Sequence, residues 1–283
     1  MDLTNVSDQR RWAIVGLLFT ASLINYLDRA AISFALPLIS KDLHLTPETK
    51  GLLLSSFFWS YALMQVPIGW CADRFSLRWL YAGAFTFWSL AQGLTGLADS
   101  LAMVIAFRVL LGVGESIYLP GGTKIVTLLF TAKERGLPTG LFDFGTRTGL
   151  VLEGILVPWF FVRHGWRHTF LLLGFVGLLW VVPWLWFFPR PKRPVNASVA
   201  SLPSPIRWSA LLNRNLLGIC LGFFCFDYYW YVLVTWLPRL PCDRPPPQHR
   251  AGRFLRITRV LHLRGCRTDR RMGRRHADPP RLG

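Results

Sequence analysis

The sequence predicts an all-α membrane protein, and two observations support this fold class. Hydrophobic residues occupy 52% of the 283 positions, whereas charged residues occupy only 17%, fewer than in an average soluble domain. Uncharged stretches extend over 51–72, 79–98 and 169–189. Each stretch has roughly the ~20 residues that an α-helix needs to cross the hydrocarbon of a bilayer.

Apolar segments of membrane-spanning length occur seven times along the chain. A window of about 19 residues predicts helices near the following positions: 12–39, 51–72, 79–98, 101–130, 136–162, 166–188 and 215–237. The first segment follows Arg10 and Arg11 as in a signal peptide, but no small-residue cleavage site follows it. We therefore expect the first helix to remain in the protein.

Proline and basic residues separate the sixth segment from the seventh, since 189–207 contains five prolines and four basic residues. This composition is typical of a polar linker outside the membrane. The expected organisation is a six-helix transmembrane bundle at 1–188, a cytoplasmic linker at 189–214, a seventh transmembrane helix at 215–238 and a tail at 239–283.

The distribution of basic residues predicts the orientation of the helices. With the N-terminus inside, the inner connections contain eleven Lys and Arg residues and the outer connections contain four. Positive charge accumulates on the cytoplasmic side of membrane proteins. We therefore expect a multi-pass integral membrane protein with a cytoplasmic N-terminus.

The tail at 239–283 has 13 Arg and 3 Asp, so it carries +10 of the net charge of +17. One interpretation is a disordered basic extension. The other is translation in a shifted reading frame after a coding disruption near Pro238. A nucleic-acid-binding arm is disfavoured because no pattern of aromatic residues accompanies the arginines, and no nucleic-acid partner is expected.

Ionisable residues within the apolar spans are the best candidates for functional residues. Such groups are costly at membrane depth and usually face a partner or a water-filled cavity. The second, third and sixth spans have none. The others contain Asp28, Arg29, Arg108, Glu115, Lys124, Asp143, Arg147, Glu153 and Asp227.

Four of these residues are expected to meet near the middle of the membrane. Arg108 and Glu115 are seven positions apart, which places them on nearly the same helix face with about 10 Å of rise between them. Asp28 and Arg29 lie at a similar depth in the first span. Arginine can bind a carboxylate bidentately, and the proton affinity of a carboxyl group depends on burial and on neighbouring charges. The alternative is that these charges only pair with one another and hold helices together.

A proline follows the charged residues in the first and fourth spans, which are corresponding members of two three-helix units. These prolines are Pro37 and Pro120. Helix breaks at matching positions of repeated units indicate a substrate site in secondary transporters. We therefore expect both helices to be interrupted near the charged residues.

Several ordered motifs resemble one known family over about residues 10–238. They are Asn25-Tyr26-Leu27-Asp28-Arg29, the stretch Phe57-Trp59-Tyr61-Gln65-Pro67-Gly69, the run from Arg108 to Glu115, and Trp230-Tyr231 leading to Thr235-Trp236-Leu237-Pro238. Together they resemble the anion:cation symporter branch of the major facilitator superfamily. This branch includes hexonate, glucarate and phthalate transporters of bacteria.

The resemblance implies roles for individual residues. Arg29, Tyr61 and Arg108 match the positions that contact the substrate anion in the family. Asp28 and Glu115 match its proton-coupling acids.

A loop motif of the superfamily is similar to the stretch from Gly69 to Arg78. In this stretch Gly69, Asp73, Arg74 and Arg78 match a gating motif at the inner face, where the family's two halves lock together. Ser76 stands where the motif has glycine.

The family's fold has two six-helix halves with the substrate between them. The resemblance therefore implies that this chain is the N-terminal six-helix half of a major facilitator fold, plus one further helix and a disordered basic tail. The missing C-terminal half would be its natural packing partner. The expected location is the inner membrane of a bacterium, in contact with lipid.

The expected function is proton-coupled symport of a small organic anion, a sugar acid or other carboxylate, with the truncated chain inactive by itself. The alternative is a non-transporting membrane anchor or regulatory half-protein whose basic tail binds lipid or protein. No enzyme activity and no cofactor are expected. No metal is expected either, because the five cysteines share no metal-ligand spacing.

Overall fold

The computed structural model describes residues 6–190 and 213–236, which are helical apart from short connections. The helices are α1 Asp8–Asp42, α2 Pro47–Arg74, α3 Leu77–Thr95, α4 Leu101–Glu115, α5 Tyr118–Leu129, α6 Gly136–Phe187 and α7 Arg214–Trp236. These two stretches contain no β-strand, so the all-α prediction is confirmed. The tail at 239–283 and most of the linker lie outside the described residues.

Residues 6–190 contain α1 to α6, whose bounds follow the six apolar segments predicted there with two differences. α4 and α5 follow one another and form one apolar segment, Leu101–Leu129. α6 has 52 residues, about 78 Å of helix, which is far longer than one crossing requires. It is kinked at Gly165, where φ is 72° and ψ is 171°. This backbone conformation is accessible essentially only to glycine, and it divides α6 into two arms, 136–164 and 166–187.

Length and composition alone qualify four of the described helical segments as membrane spans. They are Asp8–Asp42, Pro47–Arg74, Leu101–Leu129 and Gly136–Phe187. The 19-residue α3 packs among them against α4 and α6. The chain is therefore an integral membrane protein.

The two expected proline breaks have different outcomes. The helix is interrupted between α4 and α5, with Pro120 in the first turn of α5, where a backbone N–H has no partner within the helix in any case. The break expected at Pro37 is wrong, because α1 continues through this proline to Asp42. Membrane helices tolerate an interior proline when neighbouring groups satisfy the freed backbone.

Small residues bring the helices close together. A methyl group at Gly112 of α4 would lie only 2.6 Å from the carbonyl oxygen of Phe57 on α2. Gly93 of α3 and Gly174 of α6 face each other in the same way, because a methyl group on either would contact the backbone of the other. Close backbone approach through small residues is typical of helix packing in membranes.

Two apolar cores occupy different depths of the bundle, and each draws on α1, α2 and α4. The first includes Leu18, Phe57, Tyr81, Leu111 and Trp184. The second includes Ile32, Leu53, Val104, Val157 and Phe170. Asp28 and Arg29 of α1, and Arg108 of α4, fall between the segments that contribute to the two cores. The fold thus places them at an intermediate depth.

Candidate functional site

A buried charge cluster lies where the two apolar cores adjoin. We use this name for Asp28 and Arg29 of α1 and for Arg108 and Glu115 of α4. Three of the four side chains are almost fully buried, since Asp28 is 1%, Arg108 is 2% and Glu115 is 0% exposed. The structure therefore brings together the four residues that were expected to meet.

An ion pair joins α1 to α4 within the charge cluster. Arg29 Nε donates to Glu115 Oε2 over 2.8 Å, and the Arg29 side chain is only 13% exposed. A buried charge is tolerated when an opposite charge compensates it at hydrogen-bonding distance. The Arg29–Glu115 contact provides this compensation inside the bundle.

Two aromatic rings of α2 form one wall of the charge cluster. The Arg29 guanidinium carbon lies 4.4 Å from the ring centroid of Tyr61 and 5.1 Å from that of Phe57. The guanidinium carbon of Arg108 lies 4.8 Å from the same Phe57 ring. Both arginines thus make cation–π contacts with α2. Tyr61 lies beside the charge cluster, and Phe57 contacts both guanidinium groups.

Several buried polar atoms of the cluster have no hydrogen-bond partner among the described residues. They are Nε and Nη1 of Arg108, Oδ1 of Asp28 and Oε1 of Glu115. Asp28 is nevertheless close enough to Glu115 and Arg108 to interact with them electrostatically. Most buried polar atoms in proteins are hydrogen-bonded. These donors and acceptors are therefore the groups through which the cluster can bind a polar ligand or water.

Two uncharged polar residues extend the site and were not among the predicted site residues. Asn25 lies one turn before Arg29 and is fully buried beside the Glu115 carboxyl group. Gln92 of α3 is also fully buried, and its Nε2 donates to the main-chain oxygen of Asp28 over 3.4 Å. The signal available in the sequence was an amide side chain within an apolar span, and this signal is weaker than that of a charged side chain.

The expected gating residues lie at the end of the bundle where α1 begins and α2 ends, away from the charge cluster. We call this the N-terminal end of the bundle. Asp73 Oδ1 accepts a hydrogen bond from Lys124 Nζ over 2.5 Å, and the same amine donates to the Ala72 carbonyl over 2.8 Å. This contact joins α2 to α5, so Lys124 belongs to the end of the bundle. The Arg74 guanidinium carbon lies 4.2 Å from the ring centroid of Trp70.

The other two gating positions differ in their surroundings. Arg78 is buried and donates to the carbonyl oxygens of Leu185 and Phe188. It therefore holds the start of α3 against the end of α6 and satisfies carbonyl groups that lack partners within a helix. Gly69 has open space where a side chain would project.

Sequence analysis singled out one further carboxyl group that is buried in the structure. It belongs to Glu153, in the first arm of α6. Glu153 is 2% exposed, and its Oε1 has no hydrogen-bond partner in the part of the chain that the structure describes. Asp143, in the same arm, is exposed. Within 6–190 and 213–236, no group of three or more His, Cys, Asp or Glu side chains is arranged to hold a metal ion.

The fold and the site define a multi-pass helical membrane protein with a polar, charge-compensated site inside an apolar bundle. Sequence comparison makes the assignment specific. The chain belongs to the Major Facilitator Superfamily, because the family model matches residues 18–243. It is thus a member of a transporter family and not an enzyme.

Named relatives include transporters of sugar acids. The "Uncharacterized transporter YybO" of Bacillus subtilis is 31% identical over 245 residues, and the "Probable galactarate/D-glucarate transporter GudP" of the same organism is 30% identical over 257 residues. Each match covers 81% of this chain and 56% of the relative. The "Galacturonate transporter" of Dickeya chrysanthemi is 28% identical, with 81% of this chain and 71% of the relative covered.

Solved structures agree with the fold. A bacterial homologue of the human lysosomal transporter Spinster, in an inward-facing and unoccupied conformation, has a TM-score of 0.57 at 25% identity. The match covers 70% of this chain and 47% of the Spinster homologue. The matches thus cover about half of the Spinster homologue and of the two Bacillus relatives, as expected for the N-terminal half of this fold.

Proposed function

We propose that the six-helix bundle is the substrate-binding half of a proton-coupled symporter for a small organic anion, a sugar acid or other carboxylate. The observation that supports this proposal most directly is the environment of the Arg108 guanidinium group. Its guanidinium group is buried, stacks on Phe57, and has two nitrogen atoms without protein partners among the described residues. A planar guanidinium group matches the two oxygens of a carboxylate.

Arg29 and Tyr61 complete the proposed anion site. The Arg29–Glu115 pair lies next to Tyr61 and Phe57, so an anion that reaches Arg108 also meets a second guanidinium group. The names of the relatives, which include galactarate, D-glucarate and galacturonate transporters, support a sugar acid as the substrate.

Asp28 and Glu115 are the proposed proton-binding groups. Both are buried beside the arginines that hold the anion. The proton affinity of a carboxyl group responds to nearby charge, so an anion on the arginines changes how readily these acids bind protons. This shared electrostatic environment couples the two ligands.

Transport also requires a second half. Alternating access in such carriers is the rocking of one repeat unit against the other around a fixed site. We propose that this chain does not transport by itself, that the missing C-terminal half is its natural packing partner, and that the N-terminus is cytoplasmic in a bacterial inner membrane. Within this proposal, Gly69, Asp73, Arg74 and Arg78 form the gate, 1–188 is the transmembrane bundle, 189–214 is the linker and 215–238 is the seventh span.

Anion binding by the purified chain in detergent tests the site. Titration calorimetry with galactarate and galacturonate is carried out on the wild type, Arg108→Lys and Arg163→Lys. Arg163 is exposed and stacks on Trp159 at 4.5 Å, so it controls for the loss of a guanidinium group elsewhere.

Lysine keeps the charge at position 108 but loses the bidentate geometry. We expect Arg108→Lys to raise Kd about tenfold or more, since charge-assisted hydrogen bonds contribute about 1.5–3 kcal/mol, and Arg163→Lys to leave it unchanged. Equal affinities in all three proteins, or no binding of any carboxylate by the wild type, contradict the anion site.

Proton coupling is measured separately, as proton uptake from weakly buffered solution when the anion is added. We expect Asp28→Asn to reduce the uptake per bound anion. Anion binding without any proton uptake contradicts the coupling but leaves the anion site intact. In proteoliposomes with an imposed proton gradient, uptake of labelled anion by the chain alone would contradict the need for a second half.

A further inference from the structure

A cluster of arginines surrounds a cavity at the N-terminal end of the bundle, far along the helices from the charge cluster. The cavity has a volume of about 540 Å³ and is lined by Arg10, Arg78, Leu185, Trp186 and Arg190. We call it the arginine pocket. The residues come from the starts of α1 and α3, from the end of α6 and from Arg190 just after it, so three separate segments contribute positive charge to one place.

The positive charge of the arginine pocket is only partly compensated. Arg10 and Arg190 are close enough to Arg78 to repel it electrostatically. Arg78 donates to the carbonyls of Leu185 and Phe188, and Arg10 Nε donates to that of Phe187 over 2.6 Å. The end of a helix carries a charge equivalent of only about −0.5. Three guanidinium groups therefore retain a net charge well above +1.

Arg78 also has an unused donor. Its side chain is 6% exposed, and its Nε has no hydrogen-bond partner within 6–190 or 213–236. A buried guanidinium group that is short of one acceptor, beside two further arginines, favours an anionic oxygen group as the occupant of the pocket.

The rim of the pocket is aromatic and exposed. Trp186 is 78% and Phe187 is 40% exposed, and a second cavity of about 310 Å³, lined by Arg10, Trp186 and Phe187 among others, adjoins this rim. Trp79 of α3, next to Arg78, is also exposed. Aromatic side chains are enriched where a membrane protein meets the lipid headgroups. The pocket thus combines binding groups for an anionic head with an apolar edge.

We propose that the arginine pocket binds the phosphate headgroup of an anionic phospholipid from the leaflet at this end of the bundle. Basic pockets between transmembrane helices are known to hold such headgroups. The lipid phosphate compensates Arg10, Arg78 and Arg190 together, and its acyl chains lie along the exposed aromatic residues. The lipid then clamps the ends of α1, α3 and α6 together.

Native mass spectrometry of the delipidated full-length chain tests the proposal. Phosphatidylglycerol and phosphatidylcholine are titrated into the wild type, Arg190→Gln, Arg10→Gln and Lys133→Gln. Lys133 is exposed in the connection between α5 and α6, so it provides a matched loss of one charge outside the pocket. The basic tail is the same in every protein, and differences between variants therefore report on the pocket.

We expect phosphatidylglycerol to bind more tightly than phosphatidylcholine. Each pocket variant should raise the Kd for phosphatidylglycerol about fivefold, because one basic residue near the surface contributes about 1 kcal/mol, whereas Lys133→Gln should change it less than about twofold. Thermal unfolding of each variant verifies that it is folded, and Arg190→Gln provides the test if Arg10→Gln is destabilised.

Three results would overturn the proposal. The first is an equal loss in Lys133→Gln and in the pocket variants, which would mean that binding follows net charge. The second is equal affinity for the two lipids. The third is displacement of phosphatidylglycerol by excess inorganic phosphate, which would assign the pocket to a soluble anion.

Discussion

The Arg29–Glu115 pair should be strongly coupled energetically, and a double-mutant cycle measures this coupling. The pair has a separation of 2.8 Å, with side-chain exposures of 13% and 0%. Arg29→Gln leaves Glu115 buried without this partner, which costs about 3–5 kcal/mol. Glu115→Gln should cost less, about 1–3 kcal/mol, because Arg29 retains its contacts with the rings of Tyr61 and Phe57.

The double variant Arg29→Gln/Glu115→Gln removes both charges, so neither remains uncompensated. Its cost should be within about 1 kcal/mol of zero. The sum of the costs of the two single variants should therefore exceed the cost of the double variant by about 3 kcal/mol or more. The free energy of unfolding is measured by titration with sodium dodecyl sulfate in mixed micelles, with tryptophan fluorescence as the signal.

The exposed pair formed by Arg167 and Asp42 is the matched control. Its atoms are 3.0 Å apart, but the side chains are 40% and 41% exposed, so its coupling should be no more than about 1 kcal/mol. If the costs of the Arg29 and Glu115 variants simply add, or if both cycles give the same coupling, the interpretation of a charge-compensated site in a low-dielectric interior is refuted.

Two further predictions concern stability. The Trp166 indole N–H, together with Arg167, holds the pKa of Asp42 below its usual value. The contribution of Asp42 is therefore present above the pKa of the unfolded chain and is lost as pH falls through the lower folded pKa. Thermal unfolding of Asp42→Asn should show a smaller loss of stability on acidification than the wild type, and identical pH profiles would contradict this. Gly112→Val should cost more than about 3 kcal/mol, because its side chain would enter the backbone of α2. Gly16→Val, with nothing within 4 Å of its position, should cost less than about 1 kcal/mol; equal unfolding midpoints would contradict the close packing of α2 and α4.

The helices could be predicted from the sequence because a bilayer leaves few alternatives. Backbone groups in hydrocarbon must be hydrogen-bonded within their own segment, so an apolar run of sufficient length becomes a helix. The kink at Gly165 also agrees with the sequence, because this residue lies between the two spans expected at 136–162 and 166–188. Pro37 is the exception, since its effect depends on the helices that surround α1.

The charge cluster could be predicted in part. The depths of Asp28, Arg29, Arg108 and Glu115 follow from helical rise, and their cost in lipid requires them to face inward. The roles proposed for them in binding an anion and protons stay predictions.

Residue spacing along the chain therefore determined that carboxyl and guanidinium groups share one depth of an apolar bundle. The tertiary structure decided which groups meet. Glu115 forms its ion pair with Arg29 of α1 and not with Arg108 of its own helix, Phe57 contacts both guanidinium groups, and Gln92 of α3 reaches the backbone of Asp28. The physical reason is that rotation and lateral packing of helices depend on contacts between distant segments, such as that of Gly112 with α2, and periodicity within one helix does not encode them.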